Sequence, residues 1–333
     1  MGRMERMGRM ERMGTSGTSG TSGSTRGALE PVYLALLGTG ELSQRVQAAY
    51  ERLHGCDLCG RECRTDRYEQ PGTCHTGTRA VVSSFGPHLG EEDPLRGTRG
   101  SGTIFFAWCN LNCQFCQNYD ISQLGYGEEA EPEDIASMML ALQERGCHNI
   151  NLVSPTHVTA PILAAVLVAA QAGLRLPLVW NSGGYDSLAG LALLDGVVDI
   201  YMPDIKYADE EVAYRYSRVR NYPAVNQAAV KEMHRQVGDL RMDEQGLAWR
   251  GLLVRHLVLP EGLAGTAQCA RFLAQAVSPD TYINVMEQYR PCYKAVGMSP
   301  LDRPITGAEY ERAVREAREA GLHRFDQQGR NKD

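Results

Sequence analysis

The feature that most constrains this chain is a short loop in which three cysteines fall within eight positions. The segment FAWCNLNCQFCQN, residues 106–118, places Cys109, Cys113 and Cys116 at the spacing C-x3-C-x2-C. A structural zinc site normally closes with four protein ligands, and a disulfide uses two cysteines. Three thiolates instead suit a cubane iron–sulfur cluster in which one iron keeps a free coordination position. A partial zinc site that borrows a histidine is the alternative for this loop.

The composition of the whole chain predicts a globular protein in a reducing compartment. Of its 333 residues, 43% are hydrophobic and 22% are charged, and the formal net charge is −6, which argues against nucleic acid or a membrane surface as the partner. No apolar run approaches the roughly 18 residues of a transmembrane helix, and no secretory signal pattern is present. We therefore expect a cytoplasmic protein whose clustered cysteines serve metal binding or catalysis rather than disulfides.

The sequence divides into four regions. Residues 1–27 consist mainly of repeated MGRMER and TSG units, which have no apolar face to bury, so we expect a disordered tail. Residues 28–99 are predicted to be helical at first, with an interruption near Gly38, and then cysteine-rich. Residues 100–295 carry the strand–helix pattern of the main domain, and 296–333 form a C-terminal helix and tail.

From residue 101 onward, short apolar strands alternate with helices. The predicted strands cover 102–108, 149–154, 176–182, 197–206, 251–260 and 281–289, the helices 132–145, 160–172, 187–195, 209–237, 264–277 and 306–320, and a hairpin 239–250. Thr306 and Glu309 predict a capping box at the start of the last helix. About six strand–helix units indicate an α/β fold with a parallel sheet and helices outside it.

Polar residues follow four of these strands at the point where each strand ends. They are Cys109, the segment 154–157, the segment 181–184, and Asp204 with Lys206. In parallel sheets and barrels, chemistry lies at the carboxyl ends of the strands. The sequence therefore predicts that the cysteine loop shares its site with these residues, although Asp204 and Lys206 as a plain surface ion pair is an alternative.

The cysteine loop closely resembles the signature of the radical S-adenosylmethionine (radical SAM) superfamily, including the aromatic Phe115 before the third cysteine. In that superfamily the amino and carboxylate groups of SAM chelate the open iron of a 4Fe–4S cluster. One electron from the cluster then cleaves the sulfonium to methionine and a 5′-deoxyadenosyl radical, which abstracts hydrogen from the substrate. The resemblance implies a partial (β/α)6 barrel, a 4Fe–4S cluster, bound SAM, and an electron donor such as flavodoxin or ferredoxin.

Three later segments resemble the pyruvate formate-lyase activating enzymes and their PflX-type relatives, so that the likeness spans about residues 100–290. These segments are WNSGGY, DIYMPDIK and VRHLVLPEG, at 180–185, 199–206 and 254–262. By this resemblance, the residues expected to contact SAM or its site are Asn181, Ser182, Asp199, Asp204, Lys206, Arg255 and His256. The resemblance implies a protein glycyl residue as one substrate, with a small metabolite or a modified peptide as alternatives.

One segment departs from the activating enzymes. Where those enzymes carry a Gly-Gly-Glu-Pro type segment that accepts hydrogen bonds from the SAM amino group, this chain reads SPTH, which begins at Ser154. Thr156 and backbone carbonyls are then the remaining acceptors. His157 is expected either near the substrate, in proton transfer, or as a structural histidine that caps the next helix.

A second set of cysteines lies upstream of the barrel. Cys56, Cys59, Cys63 and Cys74 have the spacing C-x2-C-x3-C-x10-C, with His75 as a possible replacement for one of them. Four thiolates close a site, so it holds either structural zinc or an auxiliary 4Fe–4S cluster. A cluster could pass electrons to the SAM cluster, whereas zinc would only fold the segment. The alternative hypothesis for the function of the whole chain is a non-catalytic iron–sulfur or zinc protein that transfers electrons or acts as a scaffold.

Overall fold

The computed structural model describes residues 30–326. The tail predicted over residues 1–27 therefore lies outside the described residues, as do residues 327–333 at the end of the predicted C-terminal region.

Strands in the described part of the chain form a ten-stranded sheet. In chain order they are β1 (Ala80–His88), β2 (Ser101–Phe106), β3 (Glu128–Ala130), β4 (Ile150–Val153), β5 (Leu178–Ser182), β6 (Ile200–Pro203), β7 (Arg241–Met242), β8 (Ala248–Leu257), β9 (Tyr282–Met286) and β10 (Arg324–Phe325). Their order across the sheet is β10-β9-β8-β6-β5-β4-β2-β1-β3, with β7 paired to β8. The expected hairpin is thus present as β7 and β8.

Six neighbouring strands, β2, β4, β5, β6, β8 and β9, run parallel to one another. This confirms the predicted α/β fold with a largely parallel sheet. The two ends of the strand order, β10 and β3, do not pair with each other within residues 30–326. The sheet is therefore an open, partial barrel whose strand ends remain accessible from one side.

The sheet also has three strands that the sequence did not predict, β1, β3 and β10. β1 runs antiparallel to β2 and to β3, and it begins at Ala80, upstream of the boundary expected at residue 100. Its pattern, AVVSSFGPH, alternates poorly and contains Gly86 and Pro87, which are unfavourable in strand interiors. Tertiary pairing with β2 outweighs this weak local preference.

Helices cover the outside of the sheet. They are α1 (Tyr33–Thr39), α2 (Glu41–Glu51), α3 (Asp93–Arg96), α4 (Tyr119–Ser122), α5 (Pro132–Glu144), α6 (Thr159–Gln171), α7 (Leu188–Leu194), α8 (Glu210–Ser217), α9 (Tyr222–Val237), α10 (Thr266–Phe272) and α11 (Gly307–Glu319). α1 and α2 meet at Gly40, whose φ of 78° breaks the helix close to the expected interruption. The capping box of Thr306 and Glu309 on α11 is confirmed.

The main core lies between the sheet and the helices that cover it. α6 is buried on nearly every side, and Ile162, Leu163 and Val166 are at most 1% exposed. This explains why its sequence is apolar all round, a pattern that a half-exposed helix does not show. Among residues 30–326, no helix combines the length and apolar character needed to cross a membrane.

Candidate functional site

A cavity opens at the carboxyl ends of the parallel strands, where the cysteine loop faces the ends of β4, β5, β6 and β8. Its sulfur-bearing and polar lining includes Cys109, Cys113, Cys116, Ser154, Asn181, Ser182, Asp204, Lys206 and Arg255. The topology explains this convergence, because parallel strands deliver the residues that follow them to one edge of the sheet. Nine of the residues predicted for the site are therefore brought together.

Each sulfur of the loop faces a hydrogen-bond donor. The backbone N–H of Leu111 donates to Cys109 Sγ at 3.4 Å, and the Ser217 hydroxyl donates to Cys113 Sγ at 3.0 Å. Cys116 Sγ lies 3.0 Å from the hydroxyl of Ser122. Donors around thiolate sulfurs orient and stabilise the ligands of a metal centre. The surroundings of these cysteines therefore fit a thiolate-bound cluster.

The last turn of α8 holds this loop in place. The backbone N–H of Asn112 donates to the Ser217 carbonyl at 3.2 Å, and that of Gln114 donates to the Tyr216 carbonyl at 2.8 Å. Burial raises the pKa of the Cys109 thiol to about 12 and raises that of Cys113 as well. Bare thiols here keep their protons at neutral pH, so metal binding releases them.

A charged network forms the wall opposite the loop. Lys206 Nζ donates to one oxygen of Asp204 at 2.6 Å, and Arg255 Nε donates to the other at 3.3 Å. Behind them, Arg255 lies 3.7 Å from a carboxylate oxygen of Glu91 and 4.0 Å from one of Glu92. Asp204 and Lys206 are 15% and 18% exposed, so this is a buried pair at a strand end and not a surface ion pair.

The charges in this network stabilise one another. Burial alone would lower the pKa of Lys206 and raise that of Asp204, but their attraction outweighs burial and shifts both pKa values the opposite way. For Arg255 also, the charges of Asp204, Glu92 and Glu91 outweigh burial and raise the pKa. Lys206 and Arg255 therefore present two fixed cations to the cavity.

The turn after β5 shapes the floor of the cavity. Gly184 has a φ of +69°, and a Cβ there would lie 2.1 Å from the Asp204 carbonyl oxygen, so this position requires glycine. The Ser182 hydroxyl donates to Asp186 at 2.7 Å and accepts from the Gly184 N–H at 3.1 Å. Ser182 thus supports the turn, while Asn181 beside it lines the cavity.

The structure does not bring Thr156 and His157 to this cavity. They lie in a short 3-10 turn, Thr156–Val158, which directs both side chains behind the strand ends. The Thr156 hydroxyl donates to Asp186 at 2.8 Å, and His157 Nε2 lies 2.9 Å from the Ala107 carbonyl oxygen. His157 is 2% exposed and faces the upstream cysteines instead. Asp199, at the start of β6, also lies away from the cavity, where it accepts from the backbone of Val32 and Leu178.

The four upstream cysteines line one small cavity of their own, together with Arg67 and His157. Its cysteines are Cys56, Cys59, Cys63 and Cys74. Within residues 30–326, no group of three or more histidine, cysteine or carboxylate side chains is spaced to hold a metal ion, and this applies to both cysteine sets.

Several residues of the cavity were missed by sequence reasoning. Gln117 and Asn118 directly follow Cys116, and Gln123 and Gln288 complete the polar rim. Gln117 Nε2 donates to the Gln288 carbonyl at 2.9 Å and so joins the loop to the segment after β9. Gln117 and Asn118 could have been predicted, because they are adjacent to the cysteine motif in the sequence. No sequence signal marks Gln288, because only the fold brings it to this loop.

Residues 103–260 match the radical SAM superfamily. The chain is also 31% identical over 289 residues to the uncharacterized protein MJ0674 of Methanocaldococcus jannaschii, with 84% of this chain and 79% of that protein covered. The chain therefore belongs to the radical SAM superfamily. Membership implies radical SAM enzyme activity, with a 4Fe–4S cluster and SAM as cofactors.

Among solved structures, the chain is similar to SuiB of Streptococcus suis. The TM-score is 0.43 at 12% identity for SuiB bound to the precursor peptide SuiA, and 0.41 at 13% identity for SuiB alone. Each comparison covers 66% of this chain and 46% of SuiB. The chain thus spans less than half the length of SuiB.

Proposed function

We propose that Cys109, Cys113 and Cys116 hold the 4Fe–4S cluster of this radical SAM enzyme and that the adjoining cavity binds SAM. The observation that carries the proposal is that all three sulfurs share one cavity with polar groups from four strand ends. When bound, the cluster and SAM supply one-electron cleavage of the sulfonium and the radical that abstracts hydrogen. The chain's own residues hold, orient and shield these groups.

The charged wall accounts for recognition of the amino-acid part of SAM. Lys206 and Arg255 are cations held in place by Asp204, and they suit the α-carboxylate of SAM. Asn181 supplies an amide acceptor for the α-amino group, and Ser154 adds a hydroxyl on the neighbouring strand end. With Thr156 committed to Asp186, these two residues replace the acceptors of the Gly-Gly-Glu-Pro type segment.

For the substrate, we propose a backbone glycyl residue of a protein, so that the enzyme acts as a post-translational activator. Beyond the resemblance of 180–185, 199–206 and 254–262, the support is an apolar surface next to the cluster loop. Leu124 and Tyr126 are 45% and 63% exposed, and Tyr119 stacks on Tyr293 at 5.2 Å. Exposed aromatic and aliphatic side chains of this kind suit contact with a macromolecule.

The electron donor belongs to the same proposal. A protein such as flavodoxin or ferredoxin would supply the electron, and the reaction would take place in the cytoplasm, where cysteine thiols stay reduced. Neither a nucleic acid nor a membrane is proposed as a partner, because the net charge of −6 offers no electrostatic basis for either.

Anaerobic reconstitution tests the core of the proposal. Protein loaded with iron and sulfide is mixed with dithionite and SAM, and 5′-deoxyadenosine is measured by chromatography. We expect 5′-deoxyadenosine from the wild-type protein and only background from Cys113→Ala. Equal yields from the two proteins would contradict the proposal. Production of a glycyl radical on a partner protein, detected by electron paramagnetic resonance (EPR), then tests the substrate assignment.

A further inference from the structure

The two cysteine sites are joined by a pair of stacked rings. His75, directly after Cys74, stacks on Trp108, directly before Cys109, with ring centroids 4.6 Å apart and planes tilted by 34°. The last cysteine of the upstream set and the first cysteine of the loop are thus connected through two aromatic side chains in contact.

Both rings are held by unusual backbone conformations. His75 has a φ of +60° and Trp108 a φ of +64°, a left-handed region that non-glycine residues rarely adopt. Gly125 also lies against the indole, and a Cβ there would come within 2.2 Å of a ring carbon of Trp108. Backbone strain of this kind persists where the surroundings enforce it, and it is concentrated at functional sites. The surrounding structure therefore holds the two rings in contact.

A second set of contacts joins the same two sites. Arg61 Nε donates to the carbonyl of Asn110 at 2.6 Å, and the Asn110 side chain donates to the Tyr185 carbonyl at 2.8 Å. The backbone N–H of Gly60, next to Cys59, donates to the same carbonyl at 3.0 Å. Residues adjacent to a cysteine of each site therefore share one hydrogen-bond network.

The upstream cavity also contains a buried cation. Arg67 is 3% exposed and donates to the carbonyls of Thr76 and His157 and to the Thr76 hydroxyl. Its Nη1 lies 3.9 Å from Cys56 Sγ, and no carboxylate in residues 30–326 forms an ion pair with it. A buried charge without a counter-charge is unfavourable. Four metal-bound thiolates, whose net charge is negative, would supply that counter-charge.

We infer that the four upstream cysteines hold a second 4Fe–4S cluster, and that this cluster passes the electron to the SAM cluster through His75 and Trp108. The inference rests on the proposed function of the three-cysteine site. The contact between His75 and Trp108 favours the cluster over zinc, because it joins the upstream cysteines to the loop site and only a redox-active centre can use such a connection. Zinc would fold the segment but could not carry an electron.

The transfer balances as a one-electron step. A low-potential carrier of the ferredoxin or flavodoxin class reduces the upstream cluster from the 2+ to the 1+ state. That electron passes on to the SAM cluster, and the upstream cluster returns to the 2+ state. No bond forms or breaks and no proton moves in this transfer. The surface position of His75, which is exposed beside Cys74, places the upstream site where a carrier protein can approach it.

Metal analysis and rapid-freeze EPR of the reconstituted full-length protein test the inference. We expect about eight irons and no zinc per chain, four for each cluster. In Trp108→Leu, reduced flavodoxin should reduce the SAM cluster about tenfold more slowly at unchanged iron content. Trp249→Leu, which removes an indole lying outside both cavities, is the matched control and should keep the wild-type rate.

Two results would overturn the inference. One is about four irons with one zinc per chain, and the other is a Trp108→Leu protein that keeps both clusters and the wild-type rate of reduction. Dithionite is a small reductant that can reduce the SAM cluster without the relay. An assay with dithionite therefore distinguishes a wrong relay from a wrong assignment of the three-cysteine site. If the relay alone is wrong, dithionite and SAM still yield 5′-deoxyadenosine; if the three-cysteine site is wrong, they do not.

Discussion

The two cysteine sites share a chemistry but differ in what surrounds them. The loop cysteines share their cavity with Asn181, Lys206, Arg255 and other polar groups from four strand ends. The upstream cysteines share theirs with few polar groups, chiefly Arg67 and His157, whose hydrogen bonds go largely to the backbone. The set of three cysteines thus lies where the fold supplies many polar partners for a small molecule, and the set of four lies where it supplies few.

The charges of the two sites differ in the same way. At the loop site, Lys206 and Arg255 lie among the carboxylates of Asp204, Glu91 and Glu92, so both cations have counter-charges before any ligand arrives. At the upstream site, Arg67 has no carboxylate partner within the described part of the chain, and its balance depends on the thiolates. In our proposal, the first site is prepared to exchange a ligand, whereas the second is complete only with its metal.

Loss of a loop cysteine should have the largest effect. Cys113→Ala removes one of three cluster ligands, so we expect iron to fall from about eight to about four per chain and 5′-deoxyadenosine to fall to background. Iron assay and chromatography measure both. Cys147→Ala, which alters a buried cysteine outside both cavities, should keep wild-type values. If Cys113→Ala stayed folded but lost the iron of both cysteine sites, the two sites would not be independent.

Loss of an upstream cysteine should separate the sites. Cys59→Ala should also lower iron by about four per chain, yet 5′-deoxyadenosine formation with dithionite should persist because the loop site is intact. The comparable change at a structural cysteine, Cys269→Ala, should leave the iron content unaltered. An unchanged iron content in Cys59→Ala would contradict the proposal of two cluster sites, because the upstream cysteines would then hold no cluster.

The charged wall of the open site should determine SAM affinity. Lys206→Met removes a cation in hydrogen-bond contact with Asp204, and we expect SAM to bind more weakly by about 1.5–3 kcal/mol, the typical value of a charge-assisted hydrogen bond. Equilibrium dialysis of the reconstituted protein measures the affinity. The exposed Lys231→Met should bind normally. Normal SAM binding by Lys206→Met would remove Lys206 from the proposed site.

The floor of the open site should tolerate no side chain at Gly184. Gly184→Ala combines a φ of +69° with a Cβ 2.1 Å from the Asp204 carbonyl oxygen, so we expect the free energy of unfolding to fall by about 2–4 kcal/mol. Gly246→Ala has a similar φ of +78° but no atom within 4 Å of its Cβ. Its loss of stability therefore measures the cost of the backbone conformation alone. Equal losses in chemical denaturation would show that crowding at the floor is unimportant.

The smallest expected effect is a pH dependence of stability from His256, which follows Arg255 on β8. Burial lowers the pKa of His256, and its nitrogens contact the Ile205 carbonyl and the Thr266 hydroxyl, so the folded protein keeps it neutral. The unfolded chain titrates near 6.5, so stability is present above that pH and is lost as pH falls below it, by at most about 1.4 kcal/mol per pH unit.

Denaturation of the metal-free protein at pH 7.5 and 5.5 checks this effect. His256→Gln should show a weaker decrease between the two values than the wild type does. Identical decreases in the two proteins would assign the pH dependence to other groups.

Local patterns in the sequence were sufficient for much of the fold. The motif at Cys109 and the periodicity of the later strands are read from neighbouring residues, and the capping box at Thr306 spans only three positions. The motif and the strand periodicity predicted the parallel sheet and eight lining residues of the cavity, and the resemblance of the segment 254–262 added Arg255.

The remaining features depend on contacts between distant parts of the chain. Glu91 and Glu92 reach Arg255 only because the sheet brings them together, and no local signal marks them. Likewise, the stack of His75 on Trp108 depends on how the upstream segment packs against β2. For His157, the sequence showed its place after β4 but not the direction of the turn, which takes its side chain away from the cavity.

The most direct test of the comparison is the EPR spectrum of the dithionite-reduced, fully reconstituted protein as SAM is added. The account predicts two cluster signals, of which only one changes with SAM, and that signal should be the one missing from Cys113→Ala. A single signal, or two signals that respond to SAM alike, would contradict the distinction between an open site that binds SAM and a closed site that does not.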